Sequence, residues 1–187
     1  MARNIISKEE ILDTGYKMAL KDGLQAISAR NVAKETGVAV GTLYNYYPSV
    51  DDLTLAITEK FFYEAFKDTI CVPQPKADYL GYIKEIMPII SEVLNSFDQN
   101  WLAQIHAMNA NAKAKGVQLQ SKALKHAIAQ LSRILESDPN AHTETLPNNI
   151  TTTDIAEFTL RTMLVCIREN RNPQVLFYLL ENTLYRN

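Results

Sequence analysis

Long apolar runs are missing from this chain of 187 residues. Nowhere do the roughly 18 to 20 consecutive apolar residues of a membrane-spanning helix stand together. Glycine and proline are scarce, at six and seven, which leaves few places for hairpins. No stretch alternates apolar and polar residues over a strand length either. The two cysteines, Cys71 and Cys166, stand far apart and match no metal or redox spacing. The three histidines, His106, His126 and His142, fall in no ligand spacing, so no metal site is expected. Glycine-rich phosphate loops, nucleophile elbows and paired-acid motifs are absent, which argues against an enzyme and against a cofactor and leaves no catalytic candidate. Nor does one sign of charge dominate: 19 Lys plus Arg face 21 Asp plus Glu, a net charge of −2. That excludes a polybasic binder but not a nucleic-acid reader with a local patch. The N-terminus reaches Lys8, Glu9 and Glu10 too early for a secretory apolar segment, so the expected setting is soluble and cytoplasmic, with no membrane partner.

What remains is helical periodicity throughout. Ser7 with Glu10 three residues on is a capping box, and Ile6 and Ile11 sit where a hydrophobic staple would close around it. Ile11, Leu12, Tyr16, Ala19 and Leu20 then recur at helical spacing until Asp22-Gly23. Ser28 opens a short second helix ending at Gly37. A third runs from about Val40 to Tyr47 and is stopped by Pro48. Ser49 with Asp52 opens a fourth carrying Leu53, Ile57, Phe61 and Ala65 on one face. Beyond a break at Pro73-Gln74-Pro75, a long helix through Ile83 to Phe97 is expected to bend at Pro88. A helix from about Trp101 is expected to end at Gly116, and another to span Leu124 to Leu135. Residues 137–152 read as a mobile polar loop. Two helices close the chain, at about 153–169 and 172–186.

The second and third helices, joined by Gly37-Val38-Ala39, form a helix-turn-helix signal. Gly37 supplies the left-handed residue and Val38 a small apolar plug. At 100° per residue Leu43 and Tyr47 share the inward face, Gly41 and Asn45 point opposite, and Thr42, Tyr44 and Tyr46 lie on the flanks. Hydroxyls, an amide and a glycine without bulky aliphatics suit phosphates and base edges in a major groove. The same pattern would also fit an exposed helix of a bundle.

The residues from Arg30 to Tyr47, RNVAKETGVAVGTLYNYY, followed by Ser49-Val50-Asp51-Asp52-Leu53, resemble the DNA-binding domain of the tetracycline-repressor (TetR) family over about residues 7–65. The resemblance implies an all-α fold of about nine helices. A three-helix helix-turn-helix DNA-binding domain at residues 1–50 would precede a helical effector-binding and dimerisation domain at 51–187. It implies a homodimeric transcriptional regulator, a repressor released by a small-molecule effector, whose partner is double-stranded DNA with a pseudo-palindromic operator. Carried over by position, Thr42 and Tyr44 contact phosphates, Asn45 and Tyr46 read bases or adjacent backbone, and Val40 and Gly41 lie near the groove. Arg30 completes the set. Many members carry Ser or Lys where this chain has Ala39 and Val40, and Lys where it has Pro48 and Val50. Residues 1–47 hold six basic and five acidic side chains, so phosphate attraction is modest and salt dependence shallow. The alternative is a helical dimer serving as a small-molecule or protein-interaction module with weakened DNA binding.

Two further sets complete the expectations. Thr162 to Ile167 is apolar all round, as is much of Val175 to Leu180, so these helices need cover on more than one side. Core of the large lobe and subunit interface both satisfy that need; the interface reading names Leu160, Leu164, Ile167, Leu176, Phe177 and Leu180. Tyr79, Tyr82, Met87, Phe97, Trp101, His106 and Met108 are candidates to line an effector cavity or, equally, to fill the core.

Overall fold

The computed structural model describes residues 6–67, 78–96 and 108–186. Every regular element among them is helical. We number the α-helices α1 (Lys8–Asp22), α2 (Ala29–Thr36), α3 (Val40–Tyr46), α4 (Val50–Phe66), α5 (Tyr79–Ser96), α6 (Ala110–Ser137), α7 (Thr152–Arg168) and α8 (Gln174–Leu184), with single 3-10 turns at Leu24–Ala26 and Thr143–Thr145. Among the described residues no helix is long and apolar enough to cross a membrane. Two compact units form: residues 6–65 with 108–120, and residues 66–67 and 78–96 with 121–186.

Local chemistry sets the boundaries of the first unit. Ser7 and Glu10 form the reciprocal capping box, with Ser7 N donating to Glu10 Oε2 at 2.7 Å and Glu10 N to Ser7 Oγ at 3.1 Å. Those bonds hold the Glu10 carboxyl below its usual range. Ser28 caps α2 through Asn31 N at 3.1 Å. Gly37, at φ 71° and ψ 21°, ends α2 in the left-handed conformation and lets Val38 N reach Ala33 O at 3.0 Å, a helix stop that residues with a Cβ adopt at a cost. Ile11, Leu24, Val32, Leu43, Leu53 and Ile57 are buried in one apolar cluster drawn from all four helices. Gly15 lets α4 approach α1: a Cβ there would come within 2.8 Å of Ile57 Cδ1.

In the second unit, helical stripes meet in a single core. Ile83, Ile86 and Ile90 of α5 join Leu131 and Leu135 of α6, Leu160 and Met163 of α7, and Leu176, Leu180 and Leu184 of α8.

Two expectations are corrected here. Gly116 does not end a helix: α6 runs through it unbroken from Ala110 to Ser137. A Cβ there would make ordinary contact with Leu55 Cδ1 at 3.4 Å. The polar segment after α6 is anchored rather than loose. Asp138 is buried and accepts from Tyr79 N at 2.7 Å, Tyr185 Oη at 2.6 Å and Asn140 N at 2.9 Å, while His142 N donates to Leu184 O at 2.7 Å. Composition called the segment a loop, but one buried carboxylate holds it. Of the helix expected from Trp101, residues 101–107 lie outside the described residues, and Ala110 onward belongs to α6.

Candidate nucleic-acid interface

α3 is a short helix with two chemically different faces. Leu43 is fully buried and Tyr47, just past its end, is 4% exposed. Val40, Gly41, Tyr44 and Asn45 are exposed on the opposite side, and Thr42 is half-buried between them. A methyl group at Gly41 would meet nothing within 4 Å, so no neighbour inside the unit demands glycine there. In a helix interior glycine costs roughly 0.8–1 kcal/mol against alanine, and here that cost leaves the outer surface flat.

The helix is locked to the start of α1 from its C-terminal end. Tyr46 Oη donates to Ile6 O at 2.7 Å, and Tyr47 Oη lies 3.4 Å from Lys8 O. Lys8 Nζ sits 5.1 Å from the centre of the Tyr47 ring, a cation–π contact. Burial, with Asp13 adding to it, pushes the Tyr47 phenol up, so it stays protonated and able to donate. Of the two flanking tyrosines, Tyr46 therefore uses its proton inside the unit. Tyr44, 44% exposed, has no hydrogen-bond partner among the described residues. Arg30, at the start of α2, is likewise exposed and outside any ion pair among them.

Val50, where the resemblance places a lysine on the backbone of DNA, opens α4 and packs against the apolar cluster of the first unit. The two acids that follow it are engaged. Asp52 accepts from Ser49 Oγ at 2.7 Å and Lys115 Nζ at 2.5 Å, and the Lys115 bond foremost holds its carboxyl below the usual range. Asp51 accepts from Asn109 N at 3.0 Å and from the Asn109 side-chain amide. Asn109 in turn caps α6 through Ala112 N at 2.9 Å. Charges that would repel a phosphate beside α3 are thus occupied by α6. Sequence reasoning missed this clamp, because its partners lie 58 and 63 residues apart.

The other candidate residues divide. Tyr79 and Tyr82 are buried in the core of the second unit, and burial pushes the Tyr79 phenol up to about 12. Met87 borders a surface cleft of that unit. Met108 is buried in the first unit. Phe97, Trp101 and His106 lie outside the described residues. Of the interface candidates, Leu160, Leu176 and Leu180 are buried in the core of the second unit, with Leu164, Ile167 and Phe177 partly buried against it. The apolar side chains that α7 and α8 leave exposed are Phe158, Val165, Val175, Tyr178 and Leu179. Among the described residues no cluster of His, Cys, Asp or Glu could hold a metal ion.

Residues 11–57 match the family described as bacterial regulatory proteins, tetR family. Over 101 residues the chain is 31% identical to the HTH-type transcriptional regulator PksA of Bacillus subtilis (strain 168), covering 51% of this chain and 48% of that protein. Over 55 residues it is 44% identical to the HTH-type transcriptional repressor KstR of Rhodococcus jostii (strain RHA1), covering 29% of this chain and 26% of that one. The chain thus spans about half or less of the length of these relatives. The fold is similar to that of the reduced form of E. coli NemR, with a TM-score of 0.55, 17% identity and coverage of 96% and 98% of the two chains. It is also similar to that of the multidrug binding protein EbrR complexed with imidazole, with a TM-score of 0.52, 17% identity and coverage of 95% and 89%.

Proposed function

We propose that the chain, whose residues 11–57 match the tetR family of bacterial regulatory proteins, is a dimeric, sequence-specific repressor whose hold on DNA is released by a small molecule. The observation that carries the DNA reading is the outer face of α3, where Gly41 has no atom within 4 Å of a would-be Cβ and Tyr44 and Asn45 stand exposed beside it. Such a surface can approach a major groove closely, with Tyr44 and Thr42 on phosphates and Asn45 on a base edge. Val40 opens the helix, and Arg30 stands exposed at the start of α2. Tyr46 serves as the anchor of α3, its proton given to Ile6, and reaches DNA only as an acceptor.

Dimerisation fits the stripe of Phe158, Val165, Val175, Tyr178 and Leu179, spaced one and two turns apart on α7 and α8. Isolated apolar side chains on a surface are ordinary, but a stripe across two neighbouring helices is a self-complementary patch for a two-fold interface. Two copies of α3 would then read a pseudo-palindrome. The cell compartment that fits such a task is the cytoplasm.

A gel-shift titration with the DNA flanking the protein's own gene, at low and at moderate salt, tests the reading. Retention of that DNA against excess unrelated duplex supports it. Equal, weak retention of both would favour the interaction-module alternative.

A further inference from the structure

The second unit carries a surface cleft of about 320 Å³ beside Pro88, which lies inside α5, facing the turn between α7 and α8. Proline has no N–H to give the carbonyl one turn earlier, so the α5 backbone cannot close over this point in the regular way. Met87, Pro88, Ile167 and Phe177 give it an apolar side, and Ser91 and Asn170 add polar lining. Cys166, itself buried, lies among them. Two cations share the rim, Lys84 from α5 and Arg171 from the turn, and among the described residues no carboxylate lines the cleft.

Both cations are available. Lys84 Nζ lies 5.7 Å from the centre of the Phe177 ring, on the aromatic wall of the cleft, and has no anionic partner among the described residues. Arg171 meets Glu169 through Nε at 2.6 Å, which leaves the terminal amino groups of its guanidinium for a second acceptor. Its position is set by the backbone. Asn170, at φ 50°, takes the left-handed conformation after α7, and Arg171 N closes onto Cys166 O at 2.8 Å. An asparagine tolerates that conformation better than most residues with a Cβ.

We propose that this cleft is the binding site for a small carboxylate with an apolar body, its charge held between Lys84 and Arg171 and its body laid against Met87, Ile167 and Phe177. The sign of the charge follows from two cations without a lining acid, and the apolar body follows from the walls. A carboxylate accepts from an ammonium and a guanidinium together, each a charge-assisted hydrogen bond. The volume is at the small end of ligand sites, which favours a short chain or one ring over a large polycyclic ligand. The proposal gives a chemical class to the effector of the regulator proposed above and rests on that reading for its role, but not for its binding.

The test is calorimetric titration of the full-length protein, without DNA, using decanoate and decanol below their aggregation limits. Saturable binding of decanoate, about tenfold or more tighter than decanol, is the expected result, since a charged hydrogen bond contributes about one such factor. Lys84→Met and Arg171→Gln should each weaken decanoate about tenfold and leave decanol unchanged. Both side chains are exposed, so melting curves should coincide with the parent. Met87→Trp, which fills the wall, should weaken both probes. Equal affinity for decanoate and decanol, indifference to both charge substitutions, or no binding at all would overturn the site. Any of those results leaves the DNA reading standing, and a failure to retain DNA leaves the ligand site standing.

Discussion

At Gly41 the sequence accepts a helix-weakening residue with nothing among the described residues to require it. Gly41→Ala should therefore stabilise the protein, by roughly 0.5–1 kcal/mol in chemical denaturation, because alanine is the better helix former. The same change should weaken DNA binding, because a methyl group stands where the groove comes closest. Greater stability with undiminished affinity would show that the outer face of α3 does not approach DNA. Tyr44 and Asn45 separate two kinds of contact. Tyr44→Phe should weaken binding to all sequences about equally, by about 1 kcal/mol for a neutral hydrogen bond. Asn45→Ala should relax preference at one position per half-site, at a cost on the order of 1–3 kcal/mol there. Fluorescence anisotropy on a set of single-base operator variants distinguishes them, and parallel losses across the set for both would remove Asn45 as a base reader.

Between elements, what could be read from the sequence was what acts within a turn or two. Ser7 with Glu10, Ser28, Gly37 and Pro48 announce their boundaries through neighbours three to five positions away, and the helical period alone turns Leu43 and Tyr47 inward. Gly116 shows where that stops. A glycine that ends a helix and one that a helix runs through look alike locally, and α6 continues past Gly116 to Ser137. Asp138 is hidden for the same reason, since its donors Tyr79 and Tyr185 stand 59 and 47 residues away. Burial pushes its carboxyl up, but the bonds from Tyr185 and from the amides of Tyr79, Asn140 and Ala141 outweigh burial and hold it below the ordinary range. A carboxyl depressed in the folded state contributes stability that is complete above the unfolded value and fades as pH falls through the folded one. Asp138→Asn should cost on the order of 2 kcal/mol near neutral pH. It should also flatten the fall in melting temperature on acidification below about pH 4, the ordinary aspartate range. An unchanged acid slope would mean that Asp138 is not the group that pins this segment.

Over the whole molecule, the terminal helices show why an all-round apolar run has two meanings. Leu160, Leu176 and Leu180 answer to the protomer's own core, whereas Val175 and Tyr178 remain 71% and 61% exposed. Periodicity could show that two faces needed cover, but which face belongs to the core depends on where α5 and α6 lie. The two groups should respond differently to mutation. Leu180→Ala should lower stability by about 2–5 kcal/mol as a core truncation. Tyr178→Asp should leave the protomer folded and shift sedimentation toward a monomer at micromolar concentration. If Tyr178→Asp stays dimeric, the exposed stripe is not the interface.

Selection of binding sites from a random duplex library, with the full-length protein at moderate salt, tests most directly whether this is a dimeric sequence-specific regulator. A two-fold dimer with one α3 per half-site should enrich a pseudo-palindrome whose half-sites lie about one helical turn apart or somewhat more. Tyr178→Asp should lose that enrichment together with the dimer. A pool that stays random after repeated rounds, or converges on a single site without two-fold symmetry, would contradict the account.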